Sequence, residues 1–152
     1  MDLAEYIVAE HISTELKSTT KFQIIEELLT LLNDNGTLLD FDVALQDVLA
    51  REGYLSTGLE SGLAIPHAKT DGVKGLQIAL GIKKEGLDFE SLDGKPANLI
   101  FLVLSPRSTS GPHIQTLAVI SRNLKEKPIR DSLVNAKSKQ QVLDIIKDSF
   151  HS

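Results

Sequence analysis

Asn98-Leu99-Ile100-Phe101-Leu102-Val103-Leu104, NLIFLVL, is apolar at every position after the asparagine. A strand with one face in water alternates polar and apolar residues, and this one does not. It reads as a central strand covered on both faces. Upstream, Leu76-Gln77-Ile78-Ala79-Leu80-Gly81-Ile82 has the period of a second strand, and Glu85-Gly86 and Asp93-Gly94 between the two runs read as turns. Further upstream, Leu63-Ala64-Ile65 reads as a short buried strand that Pro66 ends or confines to a sheet edge, with His67 at its exit.

On either side of these strands the period becomes helical. Thr20 followed by Gln23 is a helix-start signature, Ile24, Ile25, Leu28, Leu29, Leu31 and Leu32 recur behind it, and Asn35-Gly36 supplies the stop. Residues 42–52 read as a second helix, with Ala44, Leu45, Val48 and Leu49 inward and Arg51 in the last turn. Ahead of these, residues 2–8 read as a short helix and residues 11–16 as a short strand. After the central strand, Gly111-Pro112-His113 opens a helix with Ile114, Leu117, Ala118 and Leu124 as its apolar stripe, and Pro128 follows its end. Ser138 and Gln141 begin a last helix through Val142, Ile145, Ile146 and Phe150. The expected fold is α/β: a mixed β-sheet sandwiched between helices, one domain over residues 1–152.

The 152 residues suffice for one sizeable core, and 41% hydrophobic with 24% charged residues is the composition of an ordinary globular protein. A net charge of −5 argues against nucleic-acid binding, which needs a basic face. There is no cysteine, hence no disulfide and no thiolate site, which suits a reducing compartment. The N-terminus lacks the basic start and apolar core of a signal peptide, and no run is long enough to span a membrane. A cytoplasmic protein without membrane insertion is expected.

Nucleotide-binding glycine fingerprints and a serine-nucleophile elbow are missing from the sequence. His11, His67, His113 and His151 share no metal-ligand spacing, so neither metal nor cofactor is expected. What remains is a group that the topology can bring together. His67 lies at a strand end, His113 in the first turn of the helix after the next long strand, and Arg51 at the end of a helix leading into Leu55-Ser56-Thr57-Gly58. In open sheets, strand ends and helix N-termini gather on one rim, and the free N–H groups of a helix start favour anions. A neutral imidazole is a nucleophile towards phosphorus, and an arginine grips phosphate oxygens in pairs. Each residue alone has an ordinary structural reading too: His67 as a core histidine, His113 as a polar helix start, Arg51 as a solvated charge, Ser56 and Thr57 as loop residues.

Arg51-Glu52, Ser56-Thr57-Gly58-Leu59 and Gly62-Leu63-Ala64-Ile65-Pro66-His67 together resemble the active-site signature of the enzyme IIA domains of the bacterial phosphotransferase system, fructose/mannitol type, which includes the nitrogen-regulatory IIA protein. Pro112-His113-Ile114-Gln115-Thr116-Leu117-Ala118 resembles that family's second histidine motif. The resemblance runs from about residue 2 to residue 150 and implies a mixed sheet with helices on both faces. It implies a phosphocarrier in which His67 accepts a phosphoryl group from phospho-HPr, or its nitrogen-branch equivalent, and passes it to a IIB domain or signals to regulatory target proteins. His113 would hold the phosphoryl group, Arg51 would balance its charge, and Ser56 and Thr57 are candidates for the phosphate pocket. An apolar rim would seat HPr and exclude water. The short opening helix, the HIS motif and the long capped helix look most like the nitrogen-regulatory type, read as a freestanding protein. Glu60 departs from the family pattern, which has glycine or a small residue there, and a carboxylate at that point repels a phosphoryl group if it faces the site. The alternative is a non-enzymatic binding module on the same fold, as in the cytoplasmic domain of anion exchangers. A metal-dependent hydrolase would need a carboxylate at ligand spacing, which the histidines lack.

Overall fold

Strand β5, Ala97–Ser105, is the spine of the sheet, and its alternation sorts the side chains into two cores. Leu99, Phe101 and Val103 point into one, and Ile100, Leu102 and Leu104 into the other, all of them buried. The computed structural model describes residues 2–150; His151 lies outside them. The remaining strands are β1 (Ile12–Ser13), β2 (Leu63–Ala64), β3 (His67–Lys69) and β4 (Gln77–Leu87), and the helices are α1 (Lys21–Asp34), α2 (Phe41–Tyr54), α3 (Gly111–Asn123), α4 (Lys127–Val134) and α5 (Lys139–Ser149).

β4 and β5 form an antiparallel pair, β1 lies parallel against β4, and β2 and β3 lie parallel along the other edge of β5. The sheet is therefore mixed, as the sequence predicts. Helices α1 and α2 cover one face through Ile24, Ile25, Leu28, Leu29, Leu32, Ala44 and Val48. Helices α3, α4 and α5 cover the other through Ile120, Leu133, Val142 and Ile146. Thr20 caps α1 by accepting the Gln23 N–H, and Ser138 caps α5 by accepting the Gln141 N–H.

Several expectations are corrected. Pro66 interrupts the edge strand rather than ending it: the chain pairs with β5 before it at Leu63 and Ala64, and again after it from His67 opposite Val103. Having no N–H, Pro66 cannot donate to the ladder, which lapses at Ile65 and Pro66, while the Pro66 carbonyl still accepts the Val103 N–H at 3.0 Å. Glu85-Gly86 is no turn but part of β4, where the register shifts between Ile82 and Leu87; Gly86, at φ +74°, supplies the backbone of a bulge. Asp93-Gly94 does turn. Of residues 11–16 the strand proper is Ile12–Ser13, with a further backbone hydrogen bond from the Leu16 N–H to the Ile82 carbonyl at 3.0 Å, and the opening helix is one 3₁₀ turn, Leu3–Glu5. Helix α3 keeps half of its predicted stripe, with Leu124 buried and Leu117 packed against the core. It buries His113, Thr116, Val119, Ile120 and Asn123, and leaves Ile114 and Ala118 exposed. Pro128 does more than follow the end of α3: it stands in the first turn of a further helix, α4.

Candidate active site

His67, the first residue of β3, is half-buried, and its orientation is fixed by its own backbone. Ring atom Nδ1 lies 2.7 Å from the carbonyl oxygen of Ile65. A carbonyl only accepts, so Nδ1 must carry the proton, and in the neutral ring Nε2 holds a lone pair. The Ile65 carbonyl lies in the interruption between β2 and β3, where the edge strand leaves the ladder. Burial lowers the His67 pKa, against the Ile65 hydrogen bond, and the positive charge of Arg51 lowers it further. The ring is therefore neutral at pH 7 and presents Nε2 as a base or nucleophile.

His113 comes to the same place from the first turn of α3. The two ring centroids are 5.5 Å apart at 58°. Its Nδ1 shares a 2.7 Å hydrogen bond with Ser105 Oγ, a fully buried hydroxyl at the end of β5. Burial, then the charges of His67 and Lys69, push the His113 pKa down to about 4. Two neutral imidazoles thus face each other, each with Nδ1 engaged. Arg51 lies along the same cleft and is steadied by donating from Nη1 to the Leu55 carbonyl at 2.9 Å.

The cleft, about 470 Å³, brings His67, His113 and Arg51 together with Asp47, Tyr54, Lys69 and Arg107. Sequence reasoning missed Lys69 and Arg107. Lys69 could have been found from the strand period, since it lies two residues beyond His67 and so on the same face. Arg107 carries no local signal. Its guanidinium donates to Asp47 at 3.0 Å and lies 3.7 Å from Asp71. Arg51, Lys69 and Arg107 line the cleft, and with Asp47 and Asp71 both held against Arg107 the surroundings of His67 stay positive, suited to an anionic phosphoryl group.

On the other side of His67, a second cleft of about 270 Å³ is lined by Arg51, Leu55, Ser56, Thr57, Leu59, Ile65, Leu92 and Leu117 among others. Ser56 and Thr57 line it, but their hydroxyls are engaged within the fold. Ser56 Oγ donates to the Phe89 carbonyl at 2.6 Å, and Thr57 Oγ1 donates to Glu52 at 2.6 Å. Around the clefts stand large exposed apolar side chains: Tyr54 (92% exposed), Leu55 (68%), Leu92 (69%) and Ile114 (63%). Glu60 is exposed and lines a neighbouring groove with Ser61, Leu124 and Lys125, outside the clefts that contain His67.

A mixed sheet whose edge strand offers a neutral histidine, faced by a second histidine and lined by cations, is an arrangement chemically suited to phosphoryl transfer. The chain belongs to the phosphoenolpyruvate-dependent sugar phosphotransferase system EIIA 2 family, whose model matches residues 5–149. It is 41% identical over 145 residues to a fructose-specific EIIA component of Haloferax volcanii, covering 95% of this chain and 94% of that protein. It is 30% identical over 152 residues to a nitrogen regulatory protein of Bradyrhizobium diazoefficiens, covering 96% and 95%. The crystal structure of nitrogen regulatory protein IIA-Ntr from Neisseria meningitidis superposes with a TM-score of 0.86 at 32% identity, covering 95% of this chain and 98% of that one. IIA mannitol from Escherichia coli shares the fold, with a TM-score of 0.80 at 23% identity. The protein is thus a phosphotransferase-system EIIA, a phosphocarrier acting in transfer to a IIB domain or in regulation. Among the described residues, no helix is long and apolar enough to cross a membrane.

Proposed function

We propose that His67 is the phosphoryl acceptor, through Nε2. The observation that carries this reading is the Nδ1–H bond to Ile65, which leaves Nε2 unprotonated in a cleft with excess positive charge. Nε2 attacks the phosphorus of a donor phosphohistidine. A new P–N bond forms, the donor's P–N bond breaks, and the electron pair returns to the donor ring. As Nε2 bonds to phosphorus the His67 ring gains positive charge, which the Ile65 carbonyl stabilises at Nδ1. Arg51, His113 and Lys69 meet the negative charge on the transferring oxygens. Ser56 and Thr57 shape the loop beside this centre. The donor is phospho-HPr or its nitrogen-branch equivalent, seated in the cytoplasm on the apolar rim of Tyr54, Leu55, Leu92 and Ile114, where water is excluded from the phosphohistidine. The chain, 1–152, acts as one EIIA domain.

For the acceptor, the 41% identity to a fructose-specific EIIA supports transfer to a IIB domain. The 0.86 TM-score to IIA-Ntr supports a second reading, in which phosphorylation state is a signal to target proteins. Intact mass after incubation with phosphoenolpyruvate, enzyme I and HPr tests the first step. The expected result is one acid-labile phosphoryl group, lost in His67→Ala. No addition, with nitrogen-branch donors tried as well, would overturn the assignment. Chasing the labelled protein with a fructose-type IIB then separates the two outputs.

A further inference from the structure

Behind His67 a line of hydrogen bonds runs into the core. The His67 Nδ1–H donates to the Ile65 carbonyl at 2.7 Å, and the N–H of the same Ile65 donates to the Thr57 carbonyl at 3.1 Å. Thr57 in turn donates its N–H to Glu52 Oε1 at 2.9 Å and its hydroxyl to Glu52 Oε2 at 2.6 Å. Lys21 Nζ closes the line 2.8 Å from Glu52 Oε1 and 5.3 Å from the centre of the Phe89 ring. The Lys21 and Glu52 side chains are only 8% and 1% exposed. A buried ion pair of this kind adds little stability over well-packed apolar residues, because desolvation offsets the attraction. What it does provide is direction. The carboxylate faces three donors, and two of them belong to the loop whose carbonyl holds Ile65.

We propose that Glu52 is a positioning residue for His67: with Lys21 it anchors Thr57, which places Ile65, whose carbonyl holds the His67 ring in its Nδ1–H form. The inference rests on His67 being the phosphoryl acceptor. The same anchor fixes the loop that carries the Leu55 carbonyl, and so the rest position of Arg51.

The test compares wild type with Thr57→Val, Thr57→Ser and the apolar double variant Lys21→Met/Glu52→Met, each checked by thermal unfolding. Nitrogen NMR of labelled histidine reads the His67 tautomer, and phosphotransfer kinetics from phospho-HPr give kcat and KM. Wild type and Thr57→Ser are expected to show the Nδ1–H tautomer alone. Thr57→Val and the double variant are expected to fold, to show mixed tautomers, and to lose about tenfold in kcat with the donor's KM nearly unchanged. The proposal is overturned if Thr57→Val keeps the single tautomer and the wild-type rate, or if rates fall with the tautomer unaltered. Should wild type itself take up no phosphoryl group, the functional reading fails, while the tautomer comparison still decides the role of Glu52.

Discussion

Acid should unfold this protein through His113, by an amount the site geometry sets. His113 is 6% exposed, and its pKa lies at about 4 in the folded chain, against 6.5 for an unperturbed histidine. Between these values the unfolded chain binds a proton that the folded one refuses, so stability is full above pH 6.5 and falls as pH drops towards 4. Integrating the linkage from about pH 7.5 to about pH 4.5 gives a loss of about 2.5 kcal/mol from this residue. His11 and His67, also lowered by burial, act in the same direction. Glu27, whose lowered pKa reflects hydrogen bonds from Lys17 and Ser18 working against its burial, adds a loss at lower pH still. Comparison with His113→Asn isolates the effect. Urea unfolding of both proteins across this range should give curves that converge by about 2 to 3 kcal/mol as pH falls. Parallel curves would refute the argument, because a ring that costs nothing to protonate is not held neutral by the fold.

Three other substitutions bear on the site. Arg51→Ala should leave the fold intact while slowing phosphoryl transfer by about a hundredfold, read from single-turnover rates with phospho-HPr. Glu60→Gly should leave transfer within about twofold of wild type, since the carboxylate is exposed outside the His67 clefts; faster transfer would place it at the site. Gly58→Ala should cost about 1 to 3 kcal/mol of stability in urea unfolding, because its Cβ would fall 2.7 Å from Ser91 Oγ and 2.8 Å from the Phe89 carbonyl.

Strand β5 and helices α1 and α5 were legible because local pattern and packing agree in them: an unbroken apolar run in one, capped periodic helices in the others. Helix α3 was misread because it serves the site. It turns His113, Thr116 and Asn123 inward and displays Ile114 to solvent, inverting the pattern from which a core face is inferred. Helix α4 is amphipathic but only eight residues long, with Leu133 its one fully buried residue, too short a stretch to stand out from a loop. His67, His113 and Arg51 stood out through their places in the topology, and the structure brings them into one cleft. Lys69 shares a strand face with His67 and was open to the two-residue period, whereas Arg107 is a charge like many others until the sheet is assembled. Glu52 illustrates the opposite case. An acid beside an arginine in a helix looks solvated, and only the approach of Lys21 and Thr57 shows it to be interior.

The placement of His67 on β3 also sets when, during folding, the protein acquires its chemistry. β4 and β5 are neighbours in the chain and can zip together early, whereas His67 aligns with Val103 and must wait for the loop between them to close. Arg51, His67, Ser105 and His113 come from four separate stretches and meet only when that closure is complete. The cleft that gathers the two imidazoles and the guanidinium is therefore a product of long-range closure, and no single segment of the chain carries it.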